Sequence, residues 1–380
     1  MRGTIMKVVC GVLCAGAVCC VAALAGTANA AGFSETKSFA TNSLTVTNLI
    51  GEIRVTGHDG SGFEVIVDVQ GDDASREEVR IETSRNSLTV VFPKSRKYVY
   101  PALGAEHEIS FRMSDSDSWL GALLGRSQVK VSSRGSGLEI WADVEIRVPE
   151  GGRLNLRQGA GAVVAKDVAG DLNLDSHYGK VSVVSLDGDL LVDTGSGDVS
   201  VVEVRGDVNI DTGSGDVDVS GVQCDDVLID TGSGDVTLVD VAAAGDVSID
   251  TGSGDVSLTD VSGDEFNIDT GSGDVDGSGI RAESAMIDTG SGAVGFSFAE
   301  MGRGDFDIDT GSGGITLALP ATAGCEVQAE SDSGGVRVNL ANVKNMRRED
   351  DDEVEFTVGD GSARVRLDSG SGAIRIVESN

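Results

Sequence analysis

The sequence predicts an all-β protein built mainly as a parallel β-solenoid (β-helix) with about 18–21 residues per coil. The pentapeptide Asp-Thr-Gly-Ser-Gly occurs seven times, at steps of 18 to 21 residues. Apolar and polar residues alternate on both sides of each copy, which is typical of short strands with one buried face. The copies begin at Asp193, Asp211, Asp230, Asp250, Asp269, Asp288 and Asp309.

The repeat at residues 245–261 shows how one coil is built. Val247 and Ile249 alternate with polar residues before the pentapeptide, and Val256 and Leu258 do so after it. The two glycines between these strands permit positive φ, so Thr-Gly-Ser-Gly predicts a tight corner. Each coil is therefore expected to consist of a strand, a tight corner, a second strand and a looser corner. We expect right-handed winding, because parallel crossovers strongly prefer that hand.

Degenerate copies of the motif extend the array in both directions. Copies at Arg157 and Asp175 precede the regular ones, and copies at Glu330 and Asp368 follow them. We expect the coils to stack in sequence order, with the charged run 344–353 as an exposed loop on an otherwise regular coil. About a dozen coils would form a rod on the order of 55 Å long.

The chain is expected to have three parts. Residues 1–30 have a positively charged start, an apolar run and small residues before a cleavage site, which predicts a signal peptide and no transmembrane span in the mature chain. Residues 31–150 predict an irregular β-rich N-terminal part. Its insertion at 94–137 is expected to carry a short helix or a mobile flap around Trp119. Residues 151–380 form the repeat array.

Charge and cysteine content exclude several classes of function. Asp and Glu number 62 against 29 Lys and Arg, giving a net charge of -33. Such a surface repels phosphate backbones, so we expect no nucleic-acid binding. The mature chain keeps Cys224 and Cys325, which the predicted stacking separates by roughly 24 Å, so we expect two free and buried thiols. The three His lie in unrelated contexts and indicate no transition-metal site.

Stacking should align two columns of aspartates, one at each end of the corner. Neighbouring carboxylates about 4.8 Å apart repel each other, so hydration, salt or capping of corner N–H groups must offset the charge. Bound Ca²⁺ is an alternative, although the motif departs from the calcium-binding nonapeptide in its first Gly and in the position of its Asp. The second column comprises Asp198, Asp216, Asp235, Asp255 and Asp274.

The repeated positions of the array allow two further interpretations. The Thr column that begins at Thr194 would present a hydroxyl ladder of the kind found in ice-binding solenoids. Parallel β-helices also include polysaccharide-active enzymes, which place carboxylates beside Lys, Arg or His in a groove. The basic residues of the regular coils, Arg205, Arg281 and Arg303, are isolated. The sequence therefore assigns no catalytic, cofactor-binding or metal-binding residue.

Three sequence features resemble the bacterial putative-adhesin domain family of unknown function. They are the segment that starts at Gly51 (Gly-Glu-Ile-Arg-Val), the lead-in that starts at Ile146 (Ile-Arg-Val-Pro-Glu-Gly), and the repeated Asp-Thr-Gly-Ser-Gly-Asp-Val. The resemblance covers most of the mature chain. It implies a β-solenoid on an exported or membrane-attached protein, with adhesion as a function.

The sequence thus favours a non-enzymatic exported scaffold for interactions at the cell envelope or cell surface. Its partner would be an envelope protein, a surface protein or a glycan, met in the periplasm, at the cell surface or outside the cell. The first alternative is a calcium-binding β-roll that folds in extracytoplasmic Ca²⁺. A polysaccharide-active β-helix enzyme is the second. Any binding surface is expected first at the 94–137 insertion and the 344–353 loop, because they interrupt the repeat.

Overall fold

A computed structural model describes residues 32–95, 97–104, 108–111, 119, 129–348 and 350–379. The fold is all-β, as predicted, and its long sheet is mostly parallel. The described residues contain no helix long and apolar enough to cross a membrane. The predicted signal peptide at 1–30 lies outside the described residues, and so does most of the segment around Trp119.

The described residues of the N-terminal part form eleven strands, which lie in two sheets, and one 3-10 turn, Pro101–Leu103. β7 to β10 form a small four-stranded sheet of their own, and the other strands join the long sheet. The strands are β1 (Phe33–Phe39), β2 (Ser43–Ile50), β3 (Ile53–His58), β4 (Phe63–Gln70), β5 (Arg80–Thr83), β6 (Ser87–Val91), β7 (Lys97–Val99), β8 (Glu108–Phe111), β9 (Val129–Ser132), β10 (Leu138–Glu139) and β11 (Trp141–Pro149).

The regular coils run from β12 to β26. The strands are β12 (Gly152–Ala160), β13 (Val163–Tyr178), β14 (Val181–Asp187), β15 (Leu190–Thr194), β16 (Val199–Arg205), β17 (Val208–Thr212), β18 (Val217–Cys224), β19 (Val227–Thr231), β20 (Val236–Ala243), β21 (Val247–Thr251), β22 (Val256–Thr270), β23 (Val275–Thr289), β24 (Val294–Met301), β25 (Asp305–Thr310) and β26 (Ile315–Leu319). Parallel pairing of β15 with β17 and of β16 with β18 shows that equivalent strands of successive coils stack in register.

Two parallel ladders result, and we call them face A and face B. Face A contains the strands that lead into the pentapeptide, such as β17, and face B contains the strands that follow it, such as β18. The alternation predicted for one coil is confirmed, because Val247, Ile249, Val256 and Leu258 are all at most 1% exposed. Each such side chain contributes about 1.5–3 kcal/mol when it is buried between the faces.

The cross-section of a coil has a third, short side that the alternation did not predict. Within most face B strands one residue adopts a left-handed conformation, for example Glu203 at φ 57° and Asp240 at φ 54°. A left-handed residue bends the strand, and the next residue, Val204 or Val241, points back into the core. The looser corner is therefore a bend, a two-residue side and a Gly-Asp turn.

The N-terminal strands continue both faces without a break in pairing. β2 pairs in parallel with β12 on face A, and β3 lies between β11 and β13 on face B. β4 and β1 then close face B with antiparallel pairs. The division of the chain at residue 150 stays a prediction.

The C-terminal strands do not stack in sequence order, and this expectation was wrong. The strands are β27 (Cys325–Ser331), β28 (Val336–Asn339), β29 (Lys344–Arg348), β30 (Glu353–Val358), β31 (Ala363–Ser369) and β32 (Ile374–Glu378). β31 pairs with β25 on one side and with β27 on the other, so the last coil in the sequence is inserted between the two coils that precede it.

The charged run expected as a loop is also partly regular. Lys344–Arg348 forms the strand β29, which pairs antiparallel with β30, and β30 pairs antiparallel with β27. This hairpin covers the outer edge of β27, the last parallel strand of face A. An uncovered edge would present unpaired N–H and C=O groups, so the hairpin acts as a cap.

Candidate functional surface

The pentapeptide corner places an aspartate at each of its ends in most of the regular coils. In one coil the chain leaves face A at Asp211 and Thr212 and enters face B at Val217. Asp211 is exposed, whereas Thr212 is 1% exposed and lies inside the coil. The two residues point in opposite directions because they are neighbours in a strand.

The first column of aspartates is confirmed by the register of face A. Asp211 pairs with Asp193 on one side and with Asp230 on the other. Burial and then these neighbouring carboxylates raise the pKa of Asp211 above its usual value, and burial and neighbouring carboxylates raise the pKa of Asp250 in the same way. The column runs through Asp175, Asp193, Asp211, Asp230, Asp250, Asp269, Asp288, Asp309 and Asp368.

The aspartates of the second column cap backbone N–H groups of the next coil. Asp235 Oδ1 accepts a hydrogen bond of 2.9 Å from the backbone N–H of Asp255, and Asp255 Oδ1 accepts one of the same length from Asp274. A charge-assisted bond of this kind satisfies a corner N–H that the ladder leaves unpaired. Capping was one of the explanations predicted for the aligned charges, and for this column it is confirmed. The bonds begin at Asp198 and end at Ala293.

A third column, at the Gly-Asp turn, was not predicted. Asp207 Oδ1 accepts hydrogen bonds from the N–H groups of Asp225 and Asp226, and Asp226 Oδ1 accepts one of 2.9 Å from Asp246. The coils that contain Asp189, Asp207 and Asp226 therefore cap the next coil at two corners. The sequence signal was present, because Gly-Asp precedes most of the face A strands.

The Thr column lies inside the solenoid, so the interpretation as an exposed hydroxyl ladder is wrong. Thr289 Oγ1 donates to the carbonyl of Gly273 at 2.9 Å and accepts from the N–H of Gly292 at 3.0 Å. No member is more than 1% exposed. The ladder runs through Asn48, Gln158, Ser176, Thr194, Thr212, Thr231, Thr251, Thr270, Thr289, Thr310, Ser369 and Ser331.

Hydrogen bonding in this inner ladder changes along the rod. The hydroxyl groups of Ser176, Thr194 and Thr212 have no hydrogen-bond partner among the residues that the structure describes. From Thr231 onward each hydroxyl donates to a glycine carbonyl of the preceding coil, at 3.5 Å for Thr231 and 2.7 Å for Thr310. The corner thus tightens from the early coils to the late ones.

The second glycine of the motif is required by the approach of successive corners. A Cβ added to Gly273 would lie 1.7 Å from the carbonyl oxygen of Gly254 in the preceding coil. Real Cβ atoms do not approach a backbone oxygen so closely, so any other residue would push the corners apart.

A shallow groove follows the bend between face B and the short third side. It has a volume of about 470 Å³ and is lined by residues of four successive coils, including Asp167, Ser185, Glu203 and Gly221. Ser185 Oγ donates to the Glu203 carboxylate at 2.9 Å. The groove is acidic, with Arg205 as the cation among its lining residues.

The 94–137 insertion lies against the first coils. Trp119 Nε1 donates a hydrogen bond of 2.6 Å to the Asp175 carboxylate, and the ring of Phe111 lies 5.0 Å from that of His177. Burial raises the pKa of Asp175. The insertion therefore covers the first aspartate of the outer column, and the columns beyond it are exposed.

The described residues bring no three His, Cys, Asp or Glu side chains together as a metal site. Cys224 and Cys325 are both free, as predicted, but only Cys325 is fully buried. Burial raises the pKa of the Cys325 thiol to about 11. Burial and then the nearby carboxylates of Asp207, Asp226 and Asp225 raise the pKa of the Cys224 thiol to about 12.

The profile of one protein family, Toastrack DUF4097, matches residues 73–377. Solved structures similar to the chain include a putative adhesin from Parabacteroides distasonis, 12% identical, covering 91% of this chain and 98% of its own with a TM-score of 0.35. A putative adhesin from Parabacteroides merdae is 13% identical, and the match covers 91% of this chain and 96% of its own with a TM-score of 0.30. A putative cell adhesion protein from Clostridium sporogenes is 11% identical, and the match covers 92% of this chain and 100% of its own with a TM-score of 0.17.

At these identities and TM-scores the structural likenesses carry no argument about ligands or partners. No curated protein matches the chain.

Proposed function

The chain belongs to the Toastrack DUF4097 family, and from that premise we propose that it is a non-enzymatic, exported scaffold for interactions at the cell envelope or cell surface. The repeated register of the coils is the observation that carries the proposal. Each outward position recurs once per coil, so the rod presents long columns of like side chains to a partner. Solenoids commonly use such extended surfaces for binding.

The two ends of the rod are the parts of the surface that differ from the repeat. Near the N-terminal end, the insertion contacts the first coils through Phe111 and Trp119. At the C-terminal end, β29 exposes all five of its residues, including Lys344, Arg347 and Arg348. We propose these ends as the contact regions, because charge and shape there are specific to one position on the rod.

Binding of the fluorescently labelled chain, residues 31–380, to intact cells of the source bacterium tests the proposal. We expect saturable binding that the unlabelled chain displaces. Replacing Lys344, Arg347 and Arg348 by Ser should lower binding if the C-terminal end makes contact, and Arg205→Ser is the matched control in a regular coil. Binding that does not saturate, or that the unlabelled chain fails to displace, contradicts a specific surface role.

A second candidate is a coil array stabilised by Ca²⁺ along the outer aspartate column. The raised pKa values of Asp211 and Asp250 support it, since each carboxylate is held close to like charges. Hard oxygen ligands of this kind suit Ca²⁺. Thermal unfolding followed by circular dichroism, in EDTA and in millimolar Ca²⁺, tests it. A chain that folds only with Ca²⁺ would support a calcium-dependent roll, and equal midpoints would contradict it.

A further inference from the structure

The Trp and Tyr residues are concentrated at one place on the rod. The chain has two Trp and three Tyr, and all five lie between Tyr98 and Tyr178. The regular coils beyond Tyr178 contain neither residue type. Aromatic rings are common where a protein binds a ligand with both apolar and polar groups.

A cleft of about 510 Å³ lies where this aromatic region meets the first tight corners. One wall contains Tyr100 and Leu103 from the insertion, and Tyr178 belongs to the first corners. Tyr100 is 3% exposed, and its ring lies 5.9 Å from that of Trp141. The wall is therefore held in place, while the Tyr178 ring is only partly buried. The volume lies within the usual range of small-molecule sites, about 300–1,000 Å³.

The aspartate series that caps the tight corners is interrupted inside the cleft. Asp143 caps the N–H of Glu52 before the interruption, and the regular series begins at Asp198 after it. Ala162 and Lys180 occupy the two positions between Glu52 and Asp198. Lys180 is exposed and makes no ion pair with a residue that the structure describes. The cleft is thus lined by the Lys180 ammonium group and, from the neighbouring coil, by the Asp198 carboxylate.

The backbone of the cleft floor is already paired. Gly161 N–H donates to the carbonyl of Tyr178, and Gly179 N–H donates to that of Ser196. An extended peptide therefore finds no free strand edge here to pair with. Recognition has to come from the side chains, which offer an aromatic ring, one cation, one anion and the hydroxyl groups of Ser196 and Ser214.

We propose that this cleft binds a neutral saccharide, with a pyranose ring against Tyr178 and its hydroxyl groups bonded to Lys180 and Asp198. Neutral hydroxyl groups both donate and accept, so they can use the ammonium and the carboxylate together. A net charge of -33 repels acidic sugars and nucleotides before they reach a single lysine. The inference rests on the proposed interaction role and names the chemical class of its partner.

Saturation-transfer NMR and calorimetric titration test the site in the purified exported chain. The neutral probes are tetrasaccharides of β-1,4-linked glucose, β-1,4-linked N-acetylglucosamine and α-linked mannose. Tetragalacturonate and tetra-alanine represent acidic sugars and peptides. We expect at least one neutral probe to bind with a Kd of about 1 mM or tighter. Failure of all three neutral probes, or tighter binding of either comparison probe at this cleft, overturns the proposal.

Substitutions in the cleft test whether the neutral saccharide binds there. Tyr178→Ala should weaken the neutral probe about 10-fold, and Tyr178→Phe should retain it because the ring remains. Asp198→Asn and Lys180→Ala should each weaken it several-fold. Asp198→Asn keeps an oxygen for capping, so the corner should stay folded, and circular dichroism checks this. Binding that is unchanged in Tyr178→Ala and Lys180→Ala overturns the assignment to this cleft.

Matched controls lie outside the cleft. Asp235→Asn changes the same capping series two coils away, and Lys166→Ala removes an exposed lysine from face B. Neither should alter binding. The saccharide site and the scaffold role can fail separately. If the Tyr178→Ala variant still binds cells saturably, the surface role stands and only the saccharide site is lost.

Discussion

Coils in the middle of the rod follow one another in sequence order, whereas the last three coils do not. β17, β19 and β21 stack as they occur in the chain, but β31 lies between β25 and β27. The buried ladders are equivalent in both regions, since Ser369 and Ser331 continue the column of Thr310. Interior shape therefore does not decide the order at the C-terminal end.

Charge on the outer surface gives a reason for the inserted coil. If β27 stacked directly on β25 in the same register, Asp305 would meet Glu326. The inserted strand places Arg364 between Asp305 and Glu326 instead, and Arg364 lies 2.9 Å from the Asp305 carboxylate. The comparison teaches that apolar alternation specifies a coil, whereas outward charges help to specify which coil is its neighbour.

Deleting residues 359–380 should cause the largest loss of stability at the C-terminal end. The inserted coil buries Val365, Leu367, Ile374 and Ile376, so its removal should cost the C-terminal end about 5–10 kcal/mol. Hydrogen exchange measured by mass spectrometry should show lost protection over 305–358 and retained protection over the middle coils. Retained protection over 325–358 would mean that β27 can stack directly on β25, and the charge argument would then be wrong.

Reversing two charges tests the same argument without removing core residues. In Arg364→Glu with Arg366→Glu, the ion pairs of 2.9 Å to Asp305 and 3.7 Å to Asp307 become repulsions. We expect a loss of about 1–3 kcal/mol in denaturant unfolding, because like charges then lie opposite each other across strands.

The matched control for charge reversal is Arg281→Glu, which breaks an ion pair of 3.5 Å with Glu300 in a coil that follows sequence order. An isolated exposed pair of this kind contributes at most about 1 kcal/mol. Equal losses of stability in the two variants would show that the arginines of the inserted coil do not specify the order of the last coils.

The inner hydroxyl ladder offers a finer comparison between early and late coils. Thr289→Val leaves the carbonyl of Gly273 and the N–H of Gly292 without this partner, so we expect a loss of about 1–3 kcal/mol. Thr212 makes no hydrogen bond, so Thr212→Val should be neutral or stabilising. Chemical unfolding of the two variants measures the difference. A larger loss for Thr212→Val would show that the early hydroxyl groups are partnered in solution.

Acidification should give the smallest effect. The pKa values of Asp211, Asp250 and Asp309 are raised above 3.8 in the folded chain, so these groups bind protons more readily when folded than when unfolded. Stability therefore rises as the pH falls through the raised folded values toward the unfolded value, and it is lowest above that window. A lowered pKa, such as that of Glu35, acts in the opposite direction.

Melting temperatures at pH 7 and near pH 4.5, in low salt, measure this pH dependence. Asp250→Asn should reduce the gain on acidification, and Asp167→Asn, which lies outside the column, should not. A wild-type melting temperature that falls over this range would mean that carboxylates with lowered pKa values dominate.

Much of the regular coil follows from the sequence. The alternation of Val and Ile located the strands, and the constant motif fixed the register of the aspartate column. The same alternation, continued for one more pair of residues, places Thr212 inside, because Val208, Ile210 and Thr212 share one face of a strand. The interpretation of the Thr column as an exposed ladder was wrong because it did not continue the alternation as far as the Thr.

Other features depend on contacts that a single sequence does not display. The bend at Glu203 has little local signal, since the equivalent positions hold Asp, Ser, Glu or Gly. The order of the last coils depends on pairings between Asp305, Arg364 and Glu326, which are distant in sequence. The cleft beside Tyr178 needs the insertion to approach the first corners, and sequence indicated only that the insertion interrupts the repeat.

The outer aspartate column has a consequence for the ionic environment of the rod. In water two unit charges interact with an energy equal to RT at about 7 Å, and stacked strands repeat at about 4.8 Å. A line of charges denser than that limit behaves as a linear polyelectrolyte and holds a sheath of counterions, much as a nucleic acid does. A partner that docks along this line would release part of the sheath, so its affinity would depend on the salt of the medium as well as on the contacts made.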